Sequence, residues 1–108
     1  MTTQEWIDLS DRYIMSTYKR HPLVLTRGLG VHVWDSEGRC YLDLVGGIAV
    51  CALGHAHPKV VTAIKEQVEN LSHVSNLYHI APQILLARFL VENSPLDKAF
   101  FCNSGAEA

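Results

Sequence analysis

The chain has 108 residues, 48% of them hydrophobic, which is enough for one small domain with a core. A formal net charge of −2, with no long run of Lys or Arg, excludes a dedicated nucleic-acid surface. No stretch reaches the roughly 20 apolar residues that a membrane span needs, and the first ten residues carry no basic leader. Three cysteines without a C-x-x-C pair suit a reducing compartment, so we expect a cytoplasmic protein without membrane or nucleic-acid partners.

A helix is predicted at the start of the chain. Thr2 and Glu5 have the spacing of a capping box, in which each side chain accepts a hydrogen bond from the other residue's backbone N–H. Apolar residues then recur at helical spacing. We expect this helix to continue to about Thr17, because the segment before Pro22 favours extended backbone.

Three short β-strands are predicted next, at residues 23–25, 31–34 and 40–44. Glycines punctuate the connections between them, and the third segment alternates apolar and polar residues as a half-buried strand does. Together they predict a small antiparallel meander.

The remaining elements are apolar. Residues 48–53 form a continuous apolar run, and Pro58 suits the first turn of an amphipathic helix. Pro82 opens a second helix, residues 83–91, that is apolar on nearly every side and is therefore expected to be buried. Residues 99–102 are expected to form a buried strand of a parallel sheet.

The last residues form a candidate anion site. Small residues between a strand end and a helix start leave backbone N–H groups unpaired, and such donors suit a phosphate. Gly105 permits close approach of the backbone, Ser104 adds a hydroxyl, and Ala106 follows them. The carboxylate of Glu107 would repel an anion unless it points away. An ordinary turn is the alternative for this segment.

Two other patterns suggest sites that the sequence does not complete. His55 and His57 could converge on a metal, yet no third ligand stands at a useful spacing. Gly28 and Gly30 resemble the start of a dinucleotide fingerprint, yet its third glycine and its helix are missing. We therefore interpret both as turns.

Four segments together resemble the class III aminotransferases, which depend on pyridoxal phosphate. They are residues 27–38 (RGLGVHVWDSEG), 46–58 (GGIAVCALGHAHP), 73–78 (HVSNLY) and 100–108 (FFCNSGAEA). Their order and spacing are those of the family over almost the whole chain, and the acetylornithine type is the most similar.

The resemblance implies an α/β fold of the fold-type-I transferases, incomplete in this chain. Residues 1–54 would be the N-terminal segment, with a helix and an antiparallel meander. Residues 55–108 would begin the large cofactor-binding domain, whose sheet is mostly parallel. The family further implies a homodimer with a shared active site.

The resemblance also assigns roles to individual residues. Ser104, Gly105 and Ala106 would hold the phosphate of pyridoxal 5'-phosphate. Tyr18 and Ile48 would contact the substrate, and the aliphatic Ile48 stands where ornithine aminotransferases have an aromatic residue. The implied reaction transfers the amino group of N-acetylornithine to 2-oxoglutarate in arginine biosynthesis. Succinylornithine, ornithine and 4-aminobutyrate are the alternative amino donors, and all of these substrates are small amino acids and 2-oxo acids.

Family chemistry also requires a lysine that bonds covalently to the cofactor. The four lysines here lie beside other charges, on an amphipathic helix or at a strand start: Lys19, Lys59, Lys65 and Lys98. None suits that role, so we expect the chain to end before the catalytic lysine and to be inactive alone. A non-catalytic fragment or packing piece is the alternative from a different class.

Overall fold

The computed structural model describes all residues 1–108. In chain order it contains α1 (Thr3–Tyr13), β1 (Leu25–Leu29), β2 (His32–Asp35), β3 (Cys40–Leu42), α2 (Gly46–Ala49), α3 (Pro58–Asn70) and α4 (Ala81–Glu92). The chain divides into two compact units, residues 1–66 and 67–108, which are described separately. None of the helices combines the length and hydrophobicity required to span a bilayer.

The predicted capping box begins α1. The Thr2 side chain accepts the Glu5 N–H at 3.2 Å, and Glu5 Oε2 accepts the Thr2 N–H at 2.7 Å. The predicted end near Thr17 is wrong, because Ile14 is already extended at the C-cap. Serine, threonine and β-branched residues beyond Tyr13 favour non-helical backbone, and this local preference ends the helix early.

The predicted antiparallel meander is confirmed, with strand order β1-β2-β3. Its first strand begins at Leu25 instead of residue 23, and it includes Gly28, so the prediction of a turn at Gly28 is wrong. The register shifts between Leu25 and Arg27, and the Arg27 guanidinium lies 4.4 Å from the centroid of the Trp34 ring across the strand pair.

The buried carboxylate of Asp35 organises the turn between β2 and β3. Oδ1 accepts the backbone N–H groups of Glu37 (2.9 Å) and Arg39 (2.8 Å). Oδ2 accepts Arg39 Nε at 2.7 Å and the Tyr41 hydroxyl at 2.8 Å. Burial by itself would raise the pKa of Asp35, but these four hydrogen bonds outweigh it and lower the pKa from 3.8 to about 2.

We expect this carboxylate to make the stability of the full-length protein depend on pH at the acid end. Because the pKa is lower in the folded state than the ordinary 3.8, the stabilisation is complete above pH 3.8 and is lost as the pH falls towards about 2. Asp35→Asn should therefore lower the Tm near neutral pH and flatten its fall across that range. Thermal unfolding of both proteins between pH 2 and pH 6 tests this; parallel curves would contradict it.

The segment after β3 returns to the meander. His55 and Gly30 exchange backbone hydrogen bonds: His55 N–H to Gly30 O is 2.8 Å and Gly30 N–H to His55 O is 2.9 Å. The preceding Gly54 has φ +78°, and a Cβ there would lie 2.8 Å from Gly30 O. Two backbones thus meet where only glycine leaves room.

Helix α3 begins at Pro58 as predicted, and α4 has Pro82 in its first turn as predicted. The expected burial of α4 is wrong for residues 1–108. Its large apolar residues are exposed, with Leu85 and Phe89 each at 63%. A helix that is apolar all round needs neighbours on several sides, and residues 1–108 do not supply them.

The predicted buried strand at residues 99–102 is also wrong. These residues are irregular, and Phe100 is 77% exposed. A strand exists by pairing its backbone with another strand, and the one sheet present contains β1, β2 and β3 alone. The domain boundary predicted after residue 54 stays a prediction.

Candidate functional site

The predicted phosphate loop forms a single helical turn at residues 104–108. The Ser104 carbonyl accepts the N–H groups of Glu107 (3.2 Å) and Ala108 (3.3 Å). Ser104 Oγ accepts the Glu107 N–H at 3.3 Å, which is the bond that an N-cap side chain makes. The small residues and the cap therefore produce a hydrogen-bonded turn at residues 104–108.

This turn retains the donors that an anion needs. The backbone N–H groups of Ser104, Gly105 and Ala106 have no acceptor within the chain. Ser104 Oγ uses a lone pair on the Glu107 N–H, so its hydroxyl hydrogen stays free to donate. The Glu107 carboxylate accepts the Asn103 N–H at 3.0 Å, which engages it on Asn103 and not on the three free amides.

The fold itself places no demand for glycine at Gly105. Its φ lies outside the left-handed region, and a Cβ would meet no atom within 4 Å. The protein itself therefore does not require glycine at this position. A requirement for glycine here would come from a ligand that approaches the backbone closely.

Tyr18 lies in the first unit. It is 75% exposed and lines a cavity of about 570 Å³ together with residues of α1 and the segment that precedes β1. The Arg20 guanidinium stands 5.9 Å from the Tyr18 ring centroid. This places an aromatic ring and a cation at one rim, an arrangement that suits a carboxylate-bearing ligand.

Ile48 also lies in the first unit but does not line that cavity. It belongs to α2, which is a left-handed turn: the φ values from Gly46 to Ala49 are 54°, 66°, 58° and 63°. Ile48 is 87% exposed, and its backbone is strained because L-residues rarely adopt this region. The structure thus presents an apolar side chain on a strained turn.

Sequence reasoning missed the carboxylate that holds this turn. Asp43 Oδ1 accepts the N–H groups of Val45 (3.0 Å) and Gly46 (2.9 Å), and Asp43 Oδ2 lies 2.7 Å from His55 Nε2. The hydrogen bond from His55 is the largest cause that lowers the pKa of Asp43, and the two amides act in the same direction. The contact of Asp43 with the two amides has a local signal in the sequence, because an Asp side chain often accepts backbone N–H groups two and three residues later in a turn. Nothing local pairs Asp43 with His55.

The structure adds no support for a metal site at His55 or for a covalent role of a lysine. His55 is engaged with Asp43, and no group of three or more His, Cys, Asp or Glu side chains could hold a metal ion. All four lysines are exposed.

The sequence and the fold place the chain in a class of proteins. The sequence model of the family Aminotransferase class-III matches residues 13–108, and the chain belongs to that family. The predicted membership is confirmed, and so is the predicted α/β fold of the fold-type-I aminotransferases.

Two of the relatives that the chain resembles are acetylornithine aminotransferases. The chain is 56% identical over all 108 residues to the acetylornithine aminotransferase of Methanocaldococcus jannaschii and covers 27% of it. The crystal structure of the acetylornithine aminotransferase of Elizabethkingia anophelis superposes with a TM-score of 0.93 at 33% identity, over 99% of this chain and 28% of that one.

A third relative has a ligand in its description. The taurine:2-oxoglutarate aminotransferase of Bifidobacterium kashiwanohense, in complex with PLP and glutamate, matches with a TM-score of 0.86 at 29% identity, over 99% of this chain and 25% of that one. The chain thus spans about a quarter of the length of the relatives it matches.

Proposed function

We propose that the protein containing this chain is a pyridoxal-phosphate-dependent aminotransferase. It transfers the amino group of N-acetylornithine to 2-oxoglutarate in arginine biosynthesis, as a cytoplasmic homodimer. Similarity to acetylornithine aminotransferases along the whole chain is the observation that carries the proposal. The amino-acid and 2-oxo-acid substrates follow from that class of reaction.

The residues present fit the phosphate of the cofactor. Three free backbone amides and the Ser104 hydroxyl belong to one turn, and such donors suit a phosphate dianion. Gly105 presents no side chain in the way, and Ala106 presents a methyl group alone. When bound, pyridoxal phosphate supplies the electron sink for amino-group transfer. The role of this turn is to anchor and orient the phosphate.

The substrate side of the proposal involves Tyr18 and Ile48. The exposed Tyr18 ring lies at a cavity with Arg20, where a donor's carboxylate can be oriented. Ile48 offers apolar contact to the carbon chain of the donor. An aliphatic residue at this position favours N-acetylornithine over ornithine, whereas succinylornithine and 4-aminobutyrate are the remaining alternatives among ω-amino donors.

The full-length protein, supplied with pyridoxal phosphate and 2-oxoglutarate, should form glutamate fastest from N-acetylornithine. We expect its kcat/KM to exceed that for ornithine by about tenfold or more, since a pocket built for one polar group rejects an analogue that lacks it. Initial rates with the four donors, and with the 108-residue chain as the control, measure this. The chain alone should be inactive, since none of its exposed lysines suits the covalent role.

Two outcomes would contradict the proposal. A higher kcat/KM for another donor would reassign the substrate, and no glutamate from any donor would refute the activity. An isolated chain that turned over would refute its predicted inactivity.

A further inference from the structure

The left-handed turn Gly46–Ala49 requires something to hold it. Ile48 and Ala49 have φ of 58° and 63°, and left-handed backbone is strained for an L-residue. Strain of this kind persists where the surroundings determine the backbone conformation, and it concentrates at functional positions. The turn's own backbone bonds include Ala49 N–H to Val45 O at 3.1 Å, Val50 N–H to Gly46 O, and Cys51 N–H to Gly46 O at 2.8 Å.

Asp43 clamps the entrance to the turn. One of its carboxylate oxygens accepts both amides that begin the turn, those of Val45 and Gly46. The other oxygen is held by His55 Nε2 at 2.7 Å. The side chains of Asp43 and His55 are 15% and 27% exposed, so the pair is largely shielded from water and its geometry is constrained.

His55 is itself fixed to the meander. Its backbone is bonded on both sides to Gly30, and a Cβ at Gly28 would lie 2.5 Å from its ring. The β1–β2 ribbon therefore sets the position of the imidazole, the imidazole sets the carboxylate of Asp43, and that carboxylate sets the turn. This series of contacts connects a rigid sheet to one exposed apolar side chain.

We propose that Asp43 and His55 are a positioning pair that holds the left-handed turn and so places Ile48 against the amino donor. The inference rests on the proposed function for the identity of the ligand, but the clamp itself does not depend on it. Neither residue is required to touch the substrate. Their loss should therefore impair recognition of the donor more than the chemical step.

The test compares Asp43→Ala and His55→Gln with Asp43→Asn in full-length enzyme saturated with pyridoxal phosphate. We expect the first two to raise KM for the amino donor about tenfold with kcat changed less than about threefold, since misplacing a contact weakens binding. Asp43→Asn should be intermediate, because its amide oxygen can still accept the two N–H groups. Asp35→Asn, which removes a carboxylate from the other turn of the meander, is the matched control and should leave KM unchanged.

Hydrogen exchange of the amides of residues 45–51 gives a readout independent of activity. Exchange should accelerate in Asp43→Ala and His55→Gln and stay unchanged in Asp35→Asn. Unchanged exchange in both clamp variants would overturn the proposal, and so would faster exchange with an unaltered KM. If the parent enzyme transfers no amino group, the proposed function fails, whereas the exchange data still decide whether the pair holds the turn. Should Asp43→Ala not fold, His55→Gln and Asp43→Asn carry the same comparison.

Discussion

Replacing Gly54 by alanine in the full-length protein should lower the free energy of unfolding by about 3 kcal/mol or more. Two costs combine at this position. The φ of +78° strains any L-residue, and the new Cβ would lie 2.8 Å from Gly30 O and 3.0 Å from Gly30 C. Both atoms are backbone, so no side chain can rotate away, and the paired bonds between Gly30 and His55 would have to separate.

Gly38→Ala is the matched control for the Gly54 substitution. Its φ of +82° is nearly the same, but a Cβ there meets no atom within 4 Å. We expect it to cost about 1–2 kcal/mol, which is the strain alone. Denaturant unfolding of both variants separates strain from collision. Equal losses would mean that the backbone contact at Gly54 contributes nothing.

Ser104→Ala should weaken the affinity for pyridoxal phosphate by about 1–3 kcal/mol, the range for a hydrogen bond to a charged group. Gly105→Val should weaken it further, because a branched side chain would occupy the space through which a phosphate reaches the amides. The structure also predicts how Gly105→Val affects the stability of the protein without cofactor. With an ordinary φ and open space at Gly105, the valine should leave the stability of the cofactor-free protein almost unchanged.

Cofactor dissociation constants, with Tm measured without cofactor, test this pair of variants. Ser94→Ala is the control: its hydroxyl accepts the Leu96 N–H at 3.3 Å in another exposed turn. If Ser104→Ala and Gly105→Val both bind pyridoxal phosphate as tightly as the unmodified protein, the assignment of this turn as the phosphate loop is wrong. An equal loss of stability and affinity in Gly105→Val would show a general defect of folding instead.

Much of the local structure was predictable because its causes lie within a few residues. The capping box of Thr2 and Glu5 and the cap at Ser104 rest on contacts three residues apart. The prolines in the first turns of α3 and α4 act through their own backbone, because each has a fixed φ and no N–H. The meander was predictable for a similar reason, since short connections join its strands. The family and the positions of Ser104, Gly105 and Ala106 also came from the sequence.

The errors concern elements whose state depends on partners. Residues 99–102 have the composition of a strand, but a strand needs a neighbouring backbone, and here they are irregular. Helix α4 has the pattern of a buried helix, yet its apolar residues are exposed. A hydrophobic pattern predicts which face of a helix or strand favours burial, but burial also requires a neighbouring element that packs against that face.

The amino-acid order alone thus determined the family, the helix starts, the meander and the small-residue turn at Ser104. Three-dimensional contact decided that Asp35 becomes the buried centre of a turn and that Gly54 meets Gly30. It also decided that Asp43 and His55, twelve residues apart, hold the turn that carries Ile48. The physical reason is distance along the chain: side-chain and backbone bonds over a few residues can be recognised as patterns, whereas contacts between remote residues exist once the chain has folded.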